Sequence, residues 1–147
     1  MEKNVSLQEI ARIQAMKIIY MADFNGITVS AANVLSKSGI LDNDEVTEKK
    51  EIQPYAIELI DYISDNISTI DKIIDETLVN YSLGRLNLVD KAIIRVSTAE
   101  LLLGKLDKKI IINEALEITK IYSDLGDHKA VSFNNKLLDN ISKKIGR

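Results

Sequence analysis

The 147-residue chain has no cysteine and no tryptophan, one proline, one histidine, six glycines, five tyrosines and two phenylalanines. Without cysteine there is neither a disulfide nor a thiolate zinc site, and the composition suits a reducing compartment. His128 has no second histidine and no acid cluster at helical spacing beside it, which argues against a metal site. Neither a glycine-rich phosphate loop nor a Ser/His/Asp set is present, so no catalytic residue and no cofactor is expected and the chain does not read as an enzyme. No stretch approaches the roughly 18 uninterrupted apolar residues of a membrane span, and the N-terminus lacks the basic-then-apolar pattern of a secretory signal. These absences predict a cytoplasmic protein with no membrane partner. A net charge of -3 gives no overall attraction to nucleic acid, so any RNA contact must come from a local patch.

What the chain has in quantity is isoleucine and leucine. Hydrophobic residues make up 46% of it, enough for one domain with an aliphatic core. Their spacing is helical nearly throughout. The strongest stretch runs from Val89 to Asp139. It carries one stripe of Val89, Ala92, Ile93, Val96, Ala99, Glu100 and Leu103, a second of Ile111, Ala115, Ile118 and Tyr122, and a third of Val131, Asn134, Leu138, Ile141 and Ile145. Glu100 is an acid on an apolar stripe. It has no second acid or nucleophile to form a site with, so it reads as a paired structural residue.

Earlier in the chain Leu7, Ala11, Ala15, Ile18 and Ala22 form a stripe that Asn25-Gly26 should close. Arg12, Met16, Tyr20 and Asp23 lie on a second face a quarter-turn away. Thr28 should cap a short helix ending at Ser38-Gly39, followed by the charged loop DNDEVTEKKE. Ile52, Tyr55, Ala56, Leu59, Ile60 and Ile63 make another run, with Pro54 tolerated in its first turn. The pattern breaks over Asn66 to Thr69, where Ser68 and Asp71 resemble a cap, and resumes in Ile70, Ile73, Ile74, Leu78 and Tyr81. Asn87 with Asp90, and Asp107, should cap the next two helices. The reading is an all-α protein: one compact bundle of about seven helices in two packed halves, about residues 1–66 and 67–147.

The order VDKAIIR, AEL, INEALEI, then Phe133-x-Asn135 and LLD resembles the C-terminal half of the NusB family of transcription antitermination and ribosomal-RNA-processing factors. ARIQAMKIIY, residues 11–20, is similar to that family's N-terminal motif, an Ala-Arg pair followed two helical turns later by Tyr. The resemblance implies a NusB-like fold. It also implies a function: with NusE, a small-subunit ribosomal protein, the chain would bind the single-stranded boxA element of nascent ribosomal RNA within an RNA polymerase antitermination complex. It leaves a homodimer open.

By the same resemblance, Arg12, Lys17 and Tyr20 would contact RNA from the first helix. Asp127, Lys129, Phe133, Asn135 and Lys136 would do so near the last. The chemistry suits the task, with cations for phosphates and rings on which unpaired bases stack. A partner surface for NusE is implied around Glu76, Asn80, Arg85 and Asp90. The chain also departs from the family. NVSLQEI, with Glu9, stands where basic residues usually precede the Arg; Asn134 replaces a Val and Lys136 a Gly; and the loop before Phe133 is longer. The missing N-terminal arginines support an alternative, a protein-only helical adaptor whose RNA face has decayed.

Overall fold

Six α-helices and no strand occur among the residues that the computed structural model describes, 6–35 and 51–147. They are α1 (Leu7–Asn25), α2 (Val29–Leu35), α3 (Pro54–Thr77), α4 (Leu88–Leu103), α5 (Lys108–Tyr122) and α6 (Lys129–Lys144), with a short 3-10 turn at Leu83–Arg85. The expected helix end at Ser38-Gly39 and nearly all of the charged loop fall outside the described residues. No described helix is long and apolar enough to cross a membrane.

The all-α expectation holds, with six helices where about seven were expected. The third and fourth runs join across a kink, because only Asn66 leaves helical geometry there, at φ -127° and ψ 19°. Ser68 and Asp71, expected as a cap, therefore lie inside α3. Asp71 instead takes a two-pronged hydrogen bond from Arg95 of α4, with Nε and one terminal nitrogen each 2.8 Å from a carboxylate oxygen. The helix also stops at Thr77, before Tyr81. Asn80 adopts a left-handed φ of 56°, and the Asp75 carboxylate accepts from the Leu83 backbone N–H at 2.9 Å. Together these turn the chain out of the helix, and Tyr81 leaves the predicted stripe.

The chain divides into two compact units, residues 1–65 and 66–147. In the first, α1 packs against α2. Ser6 caps α1 by accepting from the Glu9 N–H, and Gly26 ends it at φ 63°. The side-chain amide of Gln14 acts as a second backbone, donating to the Glu51 carbonyl and accepting from the Gln53 N–H, both at 2.9 Å. Ala11, Ala15, Ile18 and Ala22 are buried as their spacing predicts, but so are Ile10, Ile13, Met16 and Ile19. A helix apolar on most of its circumference is enclosed rather than amphipathic. The face carrying Arg12 is consequently not a solvent face over its first two turns.

In the second unit α4, α5 and α6 pack on one another. The central element is α4, where Ala92, Ile93, Ile94, Val96, Ala99 and Leu101 are all buried. Each buried branched side chain contributes about 1.5–3 kcal/mol. Glu100 is buried among them. Asn87 caps α4 and Asp107 caps α5, as their positions predict. The far end of α4 closes at Gly104, φ 68°. There Arg147 donates to the Leu101 carbonyl at 2.6 Å, one that the helix end leaves without a partner, and to the Leu106 carbonyl, in the link to α5, at 2.8 Å.

Candidate nucleic-acid interface

At the start of α4 the Asn87 side chain accepts from the Asp90 N–H at 2.8 Å and donates to Asp90 Oδ2 at 2.7 Å, a reciprocal cap. Asp90 is buried, and its Oδ1 accepts from Ser123 Oγ at 2.6 Å and from Asn134 Nδ2 at 3.1 Å. Asn134 also donates to Thr119 Oγ1 at 3.2 Å. One carboxylate thus ties the N-terminus of α4 to the end of α5 and the first turns of α6. Asn134 is fully buried and its Oδ1 has no hydrogen-bond partner. The amide is held with its nitrogen toward the acid, and the unmatched oxygen is the consequence.

Above this network is an open cavity of about 350 Å³. The rings of Tyr81 and Phe133 line it with Leu86, Leu125 and Ala130, and Asn87, Ser123 and the buried Asp90 give it polar groups. The Tyr81 and Phe133 rings meet with centroids 5.9 Å apart and planes tilted by 59°. Tyr81 is braced by Arg85, whose guanidinium carbon lies 5.7 Å from the ring centroid and whose carbonyl accepts from the Tyr81 hydroxyl at 2.9 Å. Asp127 and Lys129 complete the rim. Asp127 Oδ1 accepts from the Lys129 N–H at 3.1 Å, and Asp124 Oδ1 accepts from the His128 N–H at the same distance. The two acids hold the loop into α6 while His128 takes a left-handed φ of 61°.

The structure therefore brings Asp127, Lys129 and Phe133 around one cavity. Asn135 and Lys136 follow on α6, both exposed. Of the four residues expected at a partner surface, Glu76, Asn80 and Arg85 are exposed, whereas Asp90 is buried, with its carboxylate taking three hydrogen bonds within its own unit. The first unit differs. Arg12 is only 2% exposed, with its guanidinium carbon 5.8 Å from the Tyr55 ring centroid. Lys17 and Tyr20 are half-buried. Tyr20 stacks on exposed Phe24, with centroids 5.9 Å apart and planes within 17°.

Sequence reasoning missed Tyr81 as a wall of the cavity and missed the network below it. A signal for the network existed. Asn134 interrupts an apolar stripe just as Glu100 does, and a polar residue there must find a buried partner. No group of three or more potential ligand residues that could hold a metal ion occurs among the described residues.

A family model, that of the NusB family, matches residues 9–143. Transcription antitermination protein NusB of Clostridium botulinum is 34% identical over 139 residues, covering 93% of this chain and 98% of that protein. The protein of the same name from Sulfurimonas denitrificans is 31% identical over 137 residues, covering 90% and 94%. Among solved structures, T. maritima NusB superposes with a TM-score of 0.74 at 27% identity, covering 96% of this chain and 94% of that one. A crystal structure of antitermination factors NusB and NusE in complex with double-stranded RNA contains a chain that matches with a TM-score of 0.71 at 26% identity, covering 93% and 96%.

Proposed function

This chain belongs to the NusB family, and on that premise we propose that it is a transcription antitermination factor that binds RNA together with NusE. Its RNA target is the single-stranded boxA element of nascent ribosomal RNA, and its role is to promote transcription and processing of that RNA within the cytoplasmic RNA polymerase antitermination complex. The observation that carries this reading is the clustering of Asp127, Lys129 and Phe133 around one cavity lined by two rings and a cation. Exposed Asn135 and Lys136 extend the surface along α6. Tyr20 and Lys17 supply a second contact region on α1, and Glu76, Asn80 and Arg85 a docking surface for NusE.

Few cations are offered, so affinity should fall only gently with salt, at about -0.7 in log K per log salt for each phosphate neutralised on a single strand. The test is fluorescence anisotropy of a labelled boxA leader RNA, titrated with the protein alone and with NusE. A scrambled RNA serves as control. Tighter binding with NusE and discrimination against the scrambled strand are expected.

The burial of Arg12 favours a second reading, the protein-only adaptor. Its cation has fewer open directions toward a phosphate than the motif implies. That reading predicts NusE binding with no preference for boxA.

A further inference from the structure

We infer that Tyr81 and Phe133 form the two walls of a subsite for one unpaired, amino-bearing base of single-stranded RNA, with Asp90 at its floor accepting from the amino group. This rests on the RNA-binding reading above and adds to it the residue Tyr81 and a base preference.

Shape is the first argument. Planes tilted by 59° cannot sandwich a flat base, but they make a corner in which it stacks on one ring and meets the edge of the other, both favourable ring geometries. The volume of about 350 Å³ is at the small end for ligand sites, suited to one base rather than a folded segment. Tyr81 is held ready, because Arg85 braces both its ring and its hydroxyl. A pre-positioned ring loses little side-chain freedom when a base arrives.

Chemistry is the second. Ser123, Asn134 and Asn87 supply three hydrogen-bond donors to the Asp90 carboxylate, which offers about four acceptor positions. One remains, on a group that faces the cavity. An amino group of cytosine, adenine or guanine fits it. Uracil would bring carbonyl oxygens against the acid, with only one ring N–H between them. Asp90 and Asp127 also repel phosphate, so the base edge enters while Lys129 at the rim meets the backbone.

The experiment measures RNA affinity in the presence of NusE for the wild type, Tyr81→Ala and Tyr81→Phe. Each protein is tested with a set of leader RNAs in which single cytosines are changed to uracil. Tyr81→Ala should weaken binding about tenfold, a typical loss for one base-stacking ring, while Tyr81→Phe should stay near wild type. One cytosine-to-uracil change should cost the wild type several-fold and Tyr81→Ala little, which a general loss of structure would not produce.

Three outcomes overturn the inference. If Tyr81→Ala binds RNA as tightly as the wild type, the subsite does not exist although the RNA-binding reading stands. If Tyr81→Ala weakens NusE binding with no RNA present, the corner holds a protein side chain instead. If wild-type protein with NusE does not distinguish boxA from a scrambled strand, the functional reading itself fails, and the subsite with it.

Discussion

The two regions proposed to meet RNA are built on opposite plans. On α1 the motif residue Arg12 is enclosed, 2% exposed and laid against Tyr55 within its own unit. At α6 the corresponding contact residues stand outside, with Phe133 40% exposed, Lys129 and Lys136 exposed, and the buried polar groups gathered beneath them. In the first region one residue serves both core and surface. In the second the tasks are more divided: Asn134 fixes the scaffold, Phe133 and the lysines face outward, and Asp90 alone belongs to both the network and the cavity lining. A substitution in the first region therefore mixes stability with binding, and one in the second should separate them.

The largest effect expected from this contrast is at Arg12. Arg12→Ala removes a buried side chain whose stem packs, whose cation lies near a ring and whose donors are charged. Hydrogen bonds to charged groups contribute about 1.5–3 kcal/mol each, so a loss of about 2–3 kcal/mol should appear as a lower urea midpoint, with RNA affinity falling as well. Arg12→Lys should recover only part of it, because an ammonium cannot reproduce the planar fork. Unchanged stability with lost RNA binding would break the comparison, placing Arg12 with the surface rather than the core.

Next comes Phe133→Ala. Loss of a stacking ring should reduce RNA affinity by about 1–3 kcal/mol. Stability should change by about 1 kcal/mol at most, the worth of one ring pair, here with Tyr81. Thermal melting and anisotropy on the same preparation check both. A smaller effect is expected at exposed Lys136. Lys136→Ala should leave stability within about 0.5 kcal/mol and make the salt slope of RNA binding shallower by about 0.7. An unchanged slope would mean that Lys136 touches no phosphate.

The helices were legible in the sequence because 3.6-residue spacing and cap residues are local signals. Thr28, Asn87 and Asp107 cap where their positions predict, by accepting from N–H groups two or three residues on. What was not legible depended on neighbours distant in the chain. The break at Asn66 looked the same whether it made a loop or a kink. Leu7 shares the spacing of a buried stripe and is exposed, since a stripe says nothing of how far along the helix cover extends. Arg12 and Tyr81 show the same limit in the candidate site. A motif specifies which residue stands at a position, whereas its exposure is set by helices the motif does not contain.

Asn134→Val, in which opposing terms offset one another, gives the finest test of how the second region is built. The substitution removes a donor to Asp90 and another to Thr119, and a lost hydrogen bond to a charged group costs about 1.5–3 kcal/mol. It also removes Oδ1, which is buried with no hydrogen-bond partner and costs about 1–3 kcal/mol as it stands. Valine then adds favourable apolar burial at a position on the stripe of Val131, Leu138 and Ile141. These terms nearly cancel, so stability should stay within about 1 kcal/mol of wild type. Binding should not cancel in the same way, because Asp90 would retain only Asn87 and Ser123 as donors, and its carboxylate, released from the buried amide, would be freer to turn toward the cavity. Strengthened binding of an amino-bearing base by Asn134→Val, at unchanged stability, would show that Asn134 restrains the Asp90 carboxylate. A stability loss of several kcal/mol would show instead that the amide is indispensable to the scaffold and that the division of tasks in this region is less complete than its geometry suggests.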